Sequence, residues 1–366
     1  MSDATPAGRW RLDWPTSAGF RVARAELKSC PKDFQVDEEI AGFPERSDPG
    51  EEAGGDGEHL CLRLQKTGDN TEFVARELAV LSGCRSFDVG FCGMKDRHAV
   101  TSQWFSLYRP GMANSDADFI ANVAERWRVL GAWRHNRKLR RGEHRGNRFI
   151  ITLRGIDGRR AEIDEALTRL EVDGAPNYFG PQRFGFGGAN LDRAATMDAS
   201  AMDPRGRSGG RGRKGKHRAG REASKNVLYF SAARSWLFNE VLARRVADGT
   251  WLSPIDGEPG LAAGEPEATG PLWGDGGTSA SGLQEMLERG VVEQAPGLVQ
   301  LFSTTRMKPE RRALRARPAE LAWYWQEEGC LRVEFTLAPG QYATTILSDI
   351  FELEDMSLGR HNKQQS

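Results

Sequence analysis

The chain has 366 residues, 39% hydrophobic and 28% charged, and its 51 basic and 51 acidic side chains leave no net charge. That composition excludes a disordered or fibrous chain and gives room for two domains, each with a core of its own. Cys30, Cys61, Cys84, Cys92 and Cys330 are scattered without a Cys-x-x-Cys pair, which argues against a disulfide framework and a zinc site. The sequence has no apolar run long enough for a membrane span, and its first residues lack a signal-peptide core, so a cytoplasmic protein without membrane contact is expected.

Residues 1–20 read as irregular, anchored by Trp10 and Trp14. The segment 20–25 alternates like a strand, 31–38 reads as a turn feeding a strand, and 42–58 as an exposed loop. Another strand is expected at 59–64. The clearest helix begins at a cap supplied by Asn70 or Thr71, carries Val74, Leu78 and Leu81 on one face, and stops at Gly83.

Two strand-like runs, 86–91 and 103–108, then flank the turn Gly93-Met94-Lys95-Asp96-Arg97-His98-Ala99. A carboxylate set between a lysine and an arginine is held ionised by nearby positive charge. Such a group suits nucleophilic work better than general-acid work. Taken on these residues alone, a charged surface turn that merely connects two strands is the favoured reading, since ion-paired carboxylates are common in structural roles.

From Arg126 to Arg148 the chain carries nine Lys or Arg against one acid, Glu143, with Trp127, Trp133 and Phe149 among or beside them. The run is expected to lie outside the core. Basic residues interleaved with aromatics favour a polyanion contact over a merely solvated face. A short strand follows at 149–153 and a helix at 161–171. The Gly- and aromatic-rich stretch 174–188 marks a domain boundary, and its Gly185-Phe186-Gly187-Gly188 lacks the ending of a phosphate loop. Residues 203–225 read as a basic loop, either touching RNA backbone or simply solvated. A helix capped by Ser231 should run to about Ala247, then an acidic Gly/Pro loop spans 253–280. A basic patch at 306–315, a strand at 331–337, a turn at Pro339-Gly340 and a helix from about Ala343 complete the pattern.

Several of these stretches together resemble the TruD family of tRNA pseudouridine synthases, which act on uridine 13. They include Pro31-x-Asp33-Phe34-x-Val36-x-Glu38, Gly57-Glu58-His59-Leu60, Asn70-Thr71-x-x-Val74-Ala75 and Gly93-x-Lys95-Asp96-Arg97-His98-Ala99-Val100-Thr101-x-Gln103-Trp104. Further on come Arg134-His135-x-Arg137-Lys138-Leu139-Arg140, Gly146-Asn147-x-Phe149, Pro176-Asn177-Tyr178-Phe179-Gly180-x-Gln182-Arg183-Phe184-Gly185, Leu228-x-x-Ser231-Ala232-Ala233-Arg234-Ser235 and Pro339-Gly340-x-x-Ala343-Thr344. Each is weak alone; in family order, from about residue 20 to 351, they are specific.

The resemblance implies an α/β (α+β) fold. A pseudouridine-synthase core with a mixed, mainly antiparallel sheet would use residues 20–173 and 317–366. An inserted TRUD domain would span 174–316, and 1–19 would be an N-terminal extension. It implies that Asp96 is the nucleophile, with Lys95 and Arg97 placed to hold it ionised. It further implies substrate contacts at Phe34, Asn147, Phe149, Lys95 and Tyr342, the last standing where the family also has Phe. RNA contacts are expected at Arg97, Arg134, Arg137, Lys138 and Arg140, with the RNA lying in a cleft between the domains. It implies tRNA as the partner, with no obligatory protein partner, and no need for a metal or a redox cofactor. Two other function classes are weighed against this one. A non-catalytic RNA-binding or RNA-folding protein would not need the carboxylate of Lys95-Asp96-Arg97. Ranked lower is a carboxylate hydrolase acting on nucleosides or sugars, whose second carboxylate is not evident from the motif spacing unless Glu38 supplies it.

Overall fold

The alternating segments assemble, in a computed structural model, into one sheet of eleven strands. The residues described are 10–43, 53–197, 213–261, 267–303, 307–326 and 329–358. They divide into two units: one within Val22–Asp164, Pro318–Gly340 and Phe351–Ser366, the other within Met1–Arg21, Glu165–Arg317 and Gln341–Ile350.

The first unit holds the sheet. Its strands in chain order are β1 (Ala23–Leu27), β2 (Phe34–Glu39), β3 (Gly54–Gly55), β4 (His59–Lys66), β5 (Gly90–Phe91) and β6 (Val100–Tyr108). Then follow β7 (Arg128–His135), β8 (Gly146–Asp157), β9 (Ala319–Trp325), β10 (Leu331–Leu337) and β11 (Phe351–Asp355). The main path runs β9-β10-β8-β2-β6-β4-β7-β3, with β5 on β6 and with β1 joining β8 to β11. Pairings β2–β6, β1–β11 and β3–β7 are parallel and the others antiparallel. The sheet is thus mixed and mainly antiparallel, and the chain is an α/β protein.

Two helices cover part of this sheet, α1 (Thr71–Ser82) and α2 (Asp116–Ala124). α1 keeps its expected limits: the Asn70 side chain accepts the Phe73 N–H at 2.8 Å, and Gly83 ends it at φ +69°. Val74 and Leu78 are fully buried against Leu60, Leu62, Leu64, Phe105 and Val123.

The basic run departs from expectation. Arg128–His135 is β7, hydrogen-bonded to β4 and β3, with Val129 and Ala132 buried. Strand alternation puts every second residue inward, so a segment rich in arginine still contributes apolar side chains to the core. Strand β9, paired with β10, was also not expected.

The chain passes between units within α3 (Arg160–Asp173). The second unit is mainly helical, with α4 (Ala189–Ala195), α5 (Arg213–Ala247), α6 (Gly282–Glu293), α7 (Pro296–Ser303) and α8 (Ala343–Leu347). Trp14, Phe184, Leu237, Phe238, Leu242, Leu298 and Phe302 are among its buried residues. α5 ends where expected but begins well before Ser231, so residues 213–225 are helical; 203–212 lie outside the described residues. Ser231 is therefore no cap: its hydroxyl accepts from Arg183 Nη2 at 2.6 Å. The stretch expected as a loop at 253–280 contains a strand, Thr269–Leu272, paired with Glu310–Ala313, while 262–266 lie outside the described residues.

Candidate active site

Glycine, a buried pair and three backbone contacts shape the turn that carries Asp96. Gln103 Nε2 donates to the Gly93 carbonyl at 3.2 Å, the Lys95 N–H donates to Thr71 Oγ1 at 2.9 Å, and the Gly68 N–H donates to the Arg97 carbonyl at 2.9 Å. Thr71 Oγ1 in turn donates to Gln103 Oε1 at 2.8 Å, tying β6 to the first turn of α1. A Cβ on Gly93 would lie 2.9 Å from Lys95 Nζ, so the bare backbone there leaves room for the lysine. The turn's backbone is thus held from α1, β6 and the loop at Gly68 before its own side chains are considered.

Within it, Asp96 Oδ1 accepts the His98 N–H at 2.9 Å and Oδ2 accepts from Lys28 Nζ at 2.6 Å. The Lys28 side chain is nearly buried, whereas about a third of the Asp96 side chain stays exposed (34%), enough to meet a substrate. Burial pushes the Asp96 carboxyl up. The hydrogen bond and charge of Lys28, with the His98 N–H, outweigh that and hold it below the ordinary carboxylate value. Asp96 is therefore ionised at neutral pH.

The charge that does this is not one of the two expected. Lys95 turns to Glu38, Nζ to Oε2 at 2.6 Å, in a pair with both side chains buried. Arg97 is exposed, and its Nε donates to His98 Nε2 at 3.0 Å. Lys28 was not visible as a site residue in sequence. It follows β1 in left-handed backbone at φ +58°, a conformation costing a non-glycine residue about 1–2 kcal/mol. Glu38, weighed as a second carboxylate, is spent on Lys95 and also accepts the Trp104 N–H at 3.4 Å.

Next to this group lie the expected aromatics. Lys28 Nζ sits 4.8 Å from the Phe34 ring centroid, and the Phe34 and Phe149 rings meet edge to face at 6.0 Å. Both rings are largely buried, as their inward positions on β2 and β8 require. Asn147, opposite Glu38 on the β2–β8 pair, has a buried Oδ1 without a hydrogen-bond partner among the described residues. A buried acceptor left open is costly unless something fills it. Lys66, at the end of β4, is buried with Nζ donating to the Asp69 carbonyl at 2.7 Å. Burial lowers its ammonium to about 8, against the opposing pull of Asp69 and Asp96.

Tyr342 belongs to the other unit, where its ring packs 6.1 Å from that of Phe179. The basic residues divide. Arg137 and Arg140 are exposed, and Arg137 pairs with Glu143 at 2.6 Å. Lys138 is half-buried and donates to the Phe87 carbonyl. Arg134 corrects the expectation of an RNA contact: it is buried, grips Asp116 through Nε at 2.7 Å and Nη2 at 2.9 Å, and donates to the Gly57 carbonyl at 2.8 Å. Its inward place on β7 makes it an internal counter-ion.

Comparison with known proteins adds the following. The family model of tRNA pseudouridine synthase D (TruD) matches residues 19–191. The chain is 61% identical over 360 residues to the tRNA pseudouridine synthase D of Marinobacter nauticus, covering 97% of this chain and 99% of that one. It is 37% identical over 363 residues to that of Methylococcus capsulatus, covering 93% and 95%. A Methanosarcina mazei crystal structure named for TruD shares the fold at a TM-score of 0.60 and 20% identity, over 92% of this chain and 94% of that one.

Proposed function

Because the chain belongs to the tRNA pseudouridine synthase D family, whose members isomerise uridine to pseudouridine in tRNA, we propose that its target is uridine 13 and its nucleophile Asp96. The observation that carries this reading is the ionised, partly open Asp96 carboxylate, clamped by Lys28 and the His98 N–H beside two aromatic rings.

The reaction breaks the N1–C1′ bond, turns the detached uracil while it is held, and joins C5 to C1′. The C5 proton is lost and N1 takes one up, so the product is an isomer and no electron donor or acceptor takes part. The carboxylate acts by adding to the pyrimidine or at the sugar, and either role needs the charged form. The base must leave its stack to reach it. Phe34 and Phe149, both largely buried, and Asn147, whose amide could pair with the base N3–H, are retained as base contacts on the resemblance. Tyr342 and Lys95 are retained as substrate contacts on the resemblance.

The test is a pseudouridine map of tRNA after incubation with purified protein, read as carbodiimide-dependent primer-extension stops. A stop reporting position 13 is expected. A stop elsewhere keeps the chemistry and overturns the site. Tight tRNA binding without any stop favours a non-catalytic RNA-binding protein.

The exposed part of the basic run supplies a separate expectation. Reversing the charge of Arg137 and Arg140 together should weaken tRNA binding. It should also lower the slope of log affinity against log salt by roughly one to two, since fewer counterions are released. Titrations at several salt concentrations check this, and an unchanged slope removes 137–140 from the RNA interface.

A further inference from the structure

We propose that Asp355 is a positioning residue for Asp96, acting through the ammonium of Lys28; the inference rests on Asp96 being the nucleophile. Strands β1 and β11 lie side by side in parallel, with Leu27 opposite Asp355. The Met356 N–H donates to the Leu27 carbonyl at 2.9 Å, so the two segments leave the sheet together. Lys28 follows immediately, and its Nζ lies 2.6 Å from Asp96 Oδ2 and 3.5 Å from Asp355 Oδ2.

The ammonium thus has a carboxylate on each of two sides and the Phe34 ring at 4.8 Å. Three N–H donors on one nitrogen can serve two such acceptors at once. Asp355 is itself fixed, because its Oδ1 accepts both the Ser357 N–H at 2.9 Å and the Ser357 hydroxyl at 2.5 Å. One carboxylate oxygen therefore holds the turn after β11 and the other holds the lysine. A lysine is a point charge on a long flexible stem, and a single carboxylate contact leaves it free to swing about that contact. The second carboxylate removes that freedom, and with it the freedom of the Asp96 carboxylate to rotate out of line. Catalysis is sensitive to this, since a misplacement of about 1 Å at a reacting group can cost about 10²-fold.

Asp355→Asn tests the idea. The amide oxygen can still serve Ser357, but the charge that draws Lys28 is gone. With saturating tRNA, kcat should fall about 10- to 100-fold while the KM for tRNA stays within about two-fold. Asp355→Glu keeps the charge but displaces it, and should recover a measurable part of the loss. A second readout is the lysine ammonium signal of Lys28 in a ¹⁵N spectrum, assigned by its absence in Lys28→Met. It should be sharp in the wild type and in Asp355→Glu, and broadened in Asp355→Asn.

Ser357→Ala, which loses only the hydroxyl bond to Oδ1, should behave as wild type. Equal losses in Ser357→Ala and Asp355→Asn would reduce Asp355 to a turn residue and overturn the proposal. So would an unchanged kcat in Asp355→Asn while Asp96→Asn is inactive, an outcome that leaves the nucleophile reading intact. An active Asp96→Asn would sink that reading and this one together. Should Asp355→Asn fail to fold, Asp355→Ser, which keeps a short acceptor for Ser357 but lacks the charge, carries the test, and a sharp Lys28 signal with wild-type kcat there would overturn the proposal.

Discussion

Asp96→Asn is expected to abolish pseudouridine formation while leaving tRNA affinity within a few-fold. The loss should be on the order of 10⁴-fold or more, since removal of a nucleophile is among the costliest single changes in an enzyme. The substitution keeps one oxygen, which can accept the His98 N–H, while its NH2 replaces the oxygen that accepted from Lys28; the hydrogen bonds at Gly93, Lys95 and Arg97 still hold the turn. What disappears is the charge, and an amide cannot form the covalent bond a carboxylate forms. Single-turnover assays on tRNA and a binding titration separate the two effects. Loss of binding in step with activity would reassign Asp96 to the contact surface.

The same geometry fixes the sign of the pH dependence. Asp96 has a folded-state value depressed below its unfolded one. Its pairing therefore stabilises the protein fully above the ordinary carboxylate value of about 3.9, and that contribution is lost as pH falls through the lower folded value. Activity should show no loss from Asp96 protonation anywhere near neutral pH.

Glu38→Leu is expected to cost about 3–5 kcal/mol of stability, because it strands the Lys95 ammonium in a buried site. Glu38 is fully buried and Lys95 nearly so, and their charged atoms lie 2.6 Å apart. Nearby, burial and the Lys95 charge push the His144 imidazolium below its ordinary value, against the opposing pull of Glu38. The double variant Glu38→Leu with Lys95→Met should recover most of that loss, since an apolar pair of similar size is often as stable as a buried ion pair. Urea midpoints measure both, and an unchanged midpoint in Glu38→Leu would mean that the pair is not energetically closed as described. Activity of the double variant then decides what Lys95 does. If it touches the substrate, the refolded protein stays slow; if it is only a counter-ion, turnover returns.

Residues close together in the chain were the ones most readable from sequence. Helix α1 could be bounded because Asn70 and Gly83 act on backbone groups within a turn of themselves. The strands β2, β4 and β10 could be placed because alternation is a local pattern. The turn at 93–99 stood out by its charges, and the family motifs in order settled the fold class, whose sheet proved mixed and mainly antiparallel. Where local signals conflicted, they misled. The arginines of 128–134 masked β7, whose apolar residues alternate inward, and the glycines and charges of 213–225 masked the first part of α5.

The amino-acid sequence by itself determined the family, the fold class and the segment that carries Asp96. Only the tertiary structure decided which charge holds which. Lys95 and Arg97 flank Asp96 in the chain, yet the partner is Lys28, brought up at the end of β1 and braced by Asp355 from the end of β11. Arg134 and Arg137 lie three residues apart in one basic run, yet the first is buried on Asp116 and the second faces solvent. The reason is physical: caps and alternation act between neighbours in the chain, whereas the strength of an ion pair depends on distance and burial, which strand pairing sets across the whole chain.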